Sequence, residues 1–174
     1  MYEFLYGIGE HLLLLNIVAL FISALAFPQR SAFVSILLLV VALQLLHMWY
    51  QPYLMNELSR TLTKDDVRLL WYMGFAVTDF LFVWLAVIYC SFKDMMRDRV
   101  SNFILINVAT LGVVQMVRYA DRVLIGTDLL GPAYKLAIPA LNFSVSFMAI
   151  AYVSYFCGAG ILNLIFSKIN KDDK

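Results

Sequence analysis

The sequence has little charge and few cysteines or histidines, and each shortage excludes a class of protein. Only 14% of its 174 residues are charged, against about 25% in soluble domains. The two cysteines, Cys90 and Cys157, are too few for a disulfide-stapled secreted scaffold. Neither the two histidines nor the two cysteines have metal-ligand spacing. The net charge of +1 provides no basic footprint for nucleic acid.

Motifs for catalysis and for phosphate binding are missing as well. The sequence contains no G-x-S-x-G, P-loop or H-E-x-x-H pattern. Adjacent acids occur only at 65–66 and 172–173, where a helix start and a solvated tail explain them. We therefore expect a protein that is not an enzyme and that binds neither a metal nor a cofactor.

Apolar residues, by contrast, are abundant. They make up 63% of the chain, whereas soluble domains contain about 45–50%. A soluble domain of this length has too small an interior to bury so much apolar surface. Low polarity also argues against intrinsic disorder. The composition therefore predicts an integral membrane protein in contact with the lipid bilayer.

Five apolar segments are candidates for crossing that bilayer, which requires roughly 20 residues per helix. They cover 12–27, 32–50, 69–92, 103–117 and 136–166. The fourth is short, and it reaches residue 125 only by including Arg118, Asp121 and Arg122. No segment shows the period-two alternation of a membrane strand. We predict an all-α, polytopic transmembrane bundle of five helices, or four if one short segment does not cross.

The links between these segments are short, so residues 1–166 form one predicted domain and 167–174 a polar tail. The first segment ends in an A-x-A sequence typical of signal-peptide cleavage, but its acidic start without lysine or arginine favours an uncleaved span. The same base-free N-terminus favours an N-terminus outside and a C-terminus inside. A bacterial inner (plasma) membrane is the expected location.

Asp79 is the most informative residue because it lies in the middle of the third segment. A carboxylate at that depth costs ~2.5–3.5 kcal/mol on insertion scales, so it should face protein or water. Counting ~1.5 Å per residue from the link at 93–102 places Arg118 at a similar depth on the next helix. We predict a polar layer with Asp79 and Arg118 as its charged core. Its other members are Gln115, Asn142, Gln44 and Asn16.

Two further groups of side chains have predicted positions. Aromatic rings favour the headgroup level, so we interpret five of them as membrane-interface anchors: Trp49, Tyr50, Tyr53, Trp71 and Tyr72. The same depth count places His47 near the membrane edge, where direct contact with Asp79 is not expected. In the last segment Ala151, Ser154 and Gly158 share a face that allows close helix packing.

These patterns leave the function open between different classes. The first is a membrane scaffold or effector subunit that acts as a homo-oligomer or with a protein partner, recruited through the links and the C-terminal tail. The second is an oligomeric ion or proton channel, pore or small carrier that uses the polar layer around Asp79 and Arg118. A membrane subunit of a bacterial defence or immunity system is a third possibility, which rests on architecture alone.

Overall fold

Five long α-helices make up most of the chain. A computed structural model describes the backbone of residues 2–26 and 31–172 and the side chains of residues 9–26 and 31–159. The helices are α1 (Tyr2–Ala26), α2 (Ala32–Asn56), α3 (Lys64–Phe92), α4 (Arg99–Tyr119) and α5 (Gly131–Asp172). A 3-10 turn at Leu58–Arg60 precedes α3, and a π-helical turn at Ala120–Leu124 extends α4. The described residues contain no strand.

All five helices are long and apolar enough to cross a membrane. The prediction of an all-α bundle with five spans is thus confirmed, and the chain is a multi-pass integral membrane protein. The fourth segment is longer than its apolar part suggested, because one helical run covers Arg99–Leu124. Arg118 and Asp121 enter this run as a buried ion pair, which removes much of the penalty for placing them there.

The helices form a closed ring in which each packs against its neighbours in sequence. Helix α5 completes the ring by packing against α1, and α2 also reaches α4 across the centre. Because consecutive helices run in opposite directions, the links at 57–63 and 125–130 lie on one side of the bundle. The link at 93–98 lies on the other side, together with the C-terminal end of α1 and the start of α2. We call the first the α3-entry side and the second the α3-exit side.

Side-chain caps define where two of the helices begin. The Thr63 hydroxyl accepts a hydrogen bond from the Asp66 amide at 3.3 Å and donates one to the Asp66 carboxylate at 2.6 Å. The Asp98 carboxylate accepts from the Ser101 amide at 2.6 Å. Both arrangements satisfy amide groups that a helix start leaves without a partner.

The two halves of the bundle differ in what fills them. On the α3-exit side the interior is a tightly packed apolar core, with Phe33, Ile36, Ala86, Ile104 and Ala149 all fully buried. On the α3-entry side the interior contains a cavity, and several polar side chains lie among the apolar residues of its wall. Many large apolar side chains face outward on all five helices, as expected for a surface solvated by lipid.

Candidate functional site

A cavity of about 140 Å³ lies inside the ring on the α3-entry side. All five helices contribute to its wall, beginning with Gly9 and Leu12 of α1. Since a water molecule occupies ~30 Å³ of liquid, the cavity has room for a few waters or one small solute. The polar side chains that line it include Gln44, His47, Gln51, Asp79, Gln115 and Asn142.

Asp79 is the acidic group in the described wall of this cavity. It lies near the middle of α3, ~22 Å along the helix from Lys64 and ~20 Å from Phe92. Its side chain is 2% exposed, and its Oδ1 atom has no hydrogen-bond partner. An ionised carboxylate with an unsatisfied oxygen is costly in a low-dielectric interior. This oxygen is therefore the chemically unsatisfied atom of the cavity.

His47 is the nearest basic side chain to that oxygen, with its Nε2 atom 3.8 Å from Asp79 Oδ1. The expectation that His47 stays away from Asp79 was wrong. The α2–α3 register explains the error, because Tyr50 packs beside Gly74 and His47 beside Thr78. Counting residues from assumed membrane edges cannot show how α2 and α3 are aligned along their length.

The Nε2 atom of His47 makes its hydrogen bond to a hydroxyl. It lies 2.8 Å from Thr78 Oγ1, which in turn lies within hydrogen-bond distance of the Gly74 and Phe75 carbonyl oxygens. If the single hydroxyl proton of Thr78 is donated to one of these carbonyls, its oxygen accepts from His47 Nε2–H. In that arrangement His47 is held by Thr78, and Asp79 Oδ1 receives no hydrogen bond from it.

The amide side chains of the predicted polar layer are arranged in pairs around the cavity. Asn16 Nδ2 donates to Gln44 Oε1 at 3.0 Å, which joins α1 to α2. The Tyr134 hydroxyl donates to Gln115 Oε1 at 2.8 Å, which joins α5 to α4. Asn142 Nδ2 donates at 3.0 Å to a carbonyl oxygen of its own helix. Gln44, Gln115 and Asn142 line the cavity together with Asp79, and buried Asn16 lies behind Gln44.

Arg118 is not the partner of Asp79, which corrects the predicted charged core. Its guanidinium donates to the carboxylates of Asp121 and Asp128. Asp128 also pairs with Arg122 at 2.8 Å, and the Asp121 carboxylate accepts from the Leu130 amide at 3.2 Å. The hydrogen bond from Arg118 holds the pKa of the Asp128 carboxyl below its usual value. This network ties the end of α4 to the link before α5.

The register of α3 and α4 explains why the predicted pairing fails. Gly112 is level with Phe80, since a methyl group at Gly112 would lie 3.1 Å from the Phe80 ring. Arg118 lies six residues further along α4, or ~9 Å beyond that level. The sequence count assumed that α4 starts at Phe103, whereas it starts at Arg99. The i,i+3 spacing of Arg118 and Asp121 was a signal for the observed pair.

The five aromatic residues predicted as membrane anchors separate into two groups. Trp49 and Tyr53 are exposed and stack on each other with ring centroids 5.4 Å apart. Tyr50 instead donates to the Leu70 carbonyl at 2.8 Å, between α2 and α3. Trp71 lines the cavity, and the Tyr72 ring packs on Tyr134 at 5.8 Å. The last three are therefore engaged within the bundle, whereas the anchor role of the first two stays a prediction.

The predicted packing face of α5 is open among the residues whose side chains the structure describes. Ala151 and Ser154 are exposed, and no described atom lies within 4 Å of a methyl group built on Gly158. The polar tail 167–174 lies outside the residues whose side chains the structure describes.

Among the contributors to the cavity that sequence reasoning missed are three polar rings: His47, Trp71 and Tyr134. Each is an amphipathic ring near the end of an apolar segment, and such residues are usually assigned to the membrane interface. A signal was available on α3, where Trp71, Phe75 and Asp79 follow at four-residue spacing and so share one helix face.

No group of three potential metal ligands occurs among the described residues. The chain matches no protein-family model, no curated protein and no solved structure.

Proposed function

We propose that this protein is a small, non-enzymatic membrane carrier that takes up a proton or a small cation at Asp79 from the α3-entry side. The observation that carries this proposal is the buried Asp79 side chain, which lines the cavity and whose Oδ1 atom has no hydrogen-bond partner. Intramembrane carboxylates are rare, and they mark ion and proton pathways.

The charge balance of the cavity supports a cationic ligand. The described wall contains Asp79 but neither lysine nor arginine. The nearest base, His47, lies 3.8 Å from the carboxylate, beyond hydrogen-bond distance. A proton or a bound cation would neutralise the carboxylate and remove the penalty of an unpaired charge.

The position of the cavity supports a carrier more than an open pore. Between Asp79 and Cys90, ~16 Å along α3, the interior is filled by the apolar core. Release to the α3-exit side would require the helices around Phe82 and Ile104, both at most 5% exposed, to separate. A carrier moves its ligand by such a rearrangement, whereas a pore needs a continuous polar path.

A flux experiment with a matched control tests the proposal. The purified protein is reconstituted into liposomes that contain a pH-sensitive dye, and proton uptake is recorded with sodium, potassium or tetramethylammonium outside. We expect flux from the unmodified protein and from Asp65→Asn, whose side chain is 73% exposed. Asp79→Asn should abolish it. Equal flux for the two variants, or none from the unmodified protein, would contradict the proposal.

The basic residues of the links support one orientation of the carrier. Arg118 is buried within α4, so it does not count among the basic residues of the links on the α3-entry side. Together with the base-free N-terminus, this supports an N-terminus and an α3-entry side outside and a C-terminus inside. Single cysteines at Ser59 or Asp94, in a chain without Cys90 and Cys157, test this in intact bacterial cells. An impermeant maleimide should label only the Ser59 position.

A role as a membrane scaffold or effector subunit is the second candidate. The observation that favours it is the open α5 face with Ala151, Ser154 and Gly158, where a second copy or a partner helix can approach closely. Mass measurement in detergent tests this role. A stable oligomer that Gly158→Leu dissociates would support it, and a monomer that retrieves no partner would exclude it.

A further inference from the structure

The wall of the cavity leading to Asp79 is aromatic as well as anionic. Trp71, Phe75 and Asp79 occupy successive four-residue positions on one face of α3, and all three line the cavity. Each step is ~6 Å along the helix, so the two rings lie between the α3-entry side and the carboxylate. Tyr134 of α5 adds a third aromatic ring to the wall.

These rings are held in place by their neighbours. The Phe75 ring packs edge-on against His47 at 4.6 Å, Trp71 at 5.2 Å and Tyr50 at 5.5 Å. Tyr134 is fixed by its hydrogen bond to Gln115. Preorganised aromatic faces next to a carboxylate are the chemistry that recognises organic ammonium groups, through cation–π attraction together with charge pairing.

The same wall is poorly suited to a metal cation. Calcium takes six to eight oxygen ligands, and magnesium requires near-octahedral oxygen coordination. The amide oxygens of Gln44 and Gln115 already accept hydrogen bonds from Asn16 and Tyr134. The rest of the wall is largely apolar, with Leu43, Leu111 and Ile138 among its members. Such surfaces favour a cation that carries its own methyl groups.

Size sets the upper limit of the ligand. The cavity of about 140 Å³ is similar to an engineered apolar cavity of about 150 Å³ that binds benzene. Tetramethylammonium is comparable in volume to benzene, whereas larger aromatic amines exceed the volume of the cavity. We infer that the ligand of the Asp79 site is a small methylated ammonium ion, with its charge at Asp79 and its methyl groups against Trp71 and Phe75. This inference rests on the proposed function and specifies its ligand.

Calorimetric titration of the full chain in detergent tests the inference with tetramethylammonium, potassium and sodium as probes. We expect tetramethylammonium to bind more tightly than either metal ion. Trp71→Leu should weaken its binding about two- to thirtyfold, the range of a cation–π contact, and should leave any potassium binding unchanged. Trp71→Phe keeps an aromatic ring and should restore most of the affinity.

Fluorescence reports where the ligand binds. Trp49 and Trp84 are 63% and 58% exposed, away from the cavity wall, so Trp49→Phe with Trp84→Phe leaves Trp71 as the single tryptophan. Tetramethylammonium should change the emission of this protein in a saturable manner, and Asp79→Asn should remove the change. An unchanged emission while calorimetry shows binding would place the ligand elsewhere and overturn the inference.

The outcomes separate this inference from the proposed function. If potassium or sodium binds as tightly as tetramethylammonium in an Asp79-dependent manner, and Trp71→Leu has no effect, the ammonium assignment is wrong but the cation site stands. If proton flux depends on Asp79 without binding of any of the three probes, the ammonium assignment again fails alone. If neither flux nor binding depends on Asp79, both fail.

Discussion

Removing the charge of Asp79 should stabilise the protein while abolishing its ligand response. In Asp79→Asn the side chain keeps its shape, but the buried group whose Oδ1 atom has no hydrogen-bond partner can no longer ionise. If Asp79 binds a cation, its carboxyl group is retained for function although it lowers the stability of the fold. Such a loss of stability is common at functional sites. A carboxylate kept for helix packing would behave in the opposite way, so the sign of the change decides between the two roles.

The structure indicates the size of the effect. An aspartate at the centre of a spanning helix costs ~2.5–3.5 kcal/mol, and asparagine retains a polar amide, so we expect about 1–2 kcal/mol of stabilisation. A permanently charged His47 would reverse the sign. At its distance of 3.8 Å from Asp79, the attraction would be about 4 kcal/mol at an effective dielectric constant of 20. The His47–Thr78 hydrogen bond favours the first outcome.

Cys90 provides the assay, because its side chain is 1% exposed and reacts only when the helices separate. A thiol-reactive fluorophore follows thermal unfolding in detergent, with Cys157→Ser removing the partly buried second thiol. The stabilisation expected for Asp79→Asn should raise the midpoint temperature of unfolding by roughly 2–8 °C for a chain of this length. A cation at a hundred times its Kd should raise the free energy of unfolding of the unmodified protein by ~2.7 kcal/mol, and it should leave that of Asp79→Asn unchanged.

A lower midpoint for Asp79→Asn without ligand would refute this reasoning. The His47–Asp79 pair would then be an ionic contact that holds α2 to α3. Asp65→Asn, in the exposed first turn of α3, serves as the control and should change the free energy of unfolding by less than about 1 kcal/mol.

Three other predictions concern the surroundings of the cavity. Gly74→Ala should destabilise the protein by about 1–3 kcal/mol, because its methyl carbon would lie 2.5 Å from the Tyr50 hydroxyl oxygen; Tyr50→Phe should reduce that penalty in a double-mutant cycle. Thr63→Ala should cost about 1 kcal/mol through loss of the α3 cap, measured by the same thermal assay. Because the pKa of Asp128 is lowered in the folded protein, its carboxylate stabilises the fold at every pH above the usual pKa of a carboxyl group. This stabilisation is lost as the pH falls through the pKa that Asp128 has in the folded protein. Amide hydrogen exchange in residues 125–130 should then become faster, because the contact with Arg118 breaks.

Each of these predictions has its own control. Gly9→Ala should be neutral or stabilising, since no atom of the described residues lies within 4 Å of the added methyl group; a penalty equal to that of Gly74→Ala would contradict the steric explanation. For the cap, Thr63→Ser keeps the hydroxyl and should retain stability. For the acid response, Asp128→Asn should remove the dependence of exchange on pH, and a persistent dependence would point to another group.

Much of the fold followed from the order of residues along the chain. The apolar runs predicted five spans, and the adjacent acids at 65–66 indicated the start of α3. Helix ends were less accurate, because apolar segments and helices do not have the same limits. Helix α2 continues through Pro52 to Asn56, six residues beyond its apolar segment, and α4 starts at Arg99. The composition of a segment does not show the tertiary contacts that extend a helix beyond its apolar part.

The candidate site was only partly predictable. Asp79, Gln44, Gln115 and Asn142 stood out as polar residues within apolar segments, and the structure brings them to one cavity. The partners of the charged residues could not be predicted from the sequence, because pairing depends on how neighbouring helices are aligned along their length. A shift of ~7.5 Å, about five residues, separates Arg118 from the level of Asp79, where it was expected.

By itself, the sequence therefore determined the membrane class, the number of helices and the presence of a carboxylate in the membrane interior, since hydropathy acts residue by residue. Tertiary structure alone decided which side chains meet that carboxylate. Contacts such as Tyr50 with Gly74 and Phe80 with Gly112 set the helix registers, and these place His47 beside Asp79 while keeping Arg118 in its own network. The site depends on this packing because a small shift of one helix along another would place a different polar side chain beside Asp79.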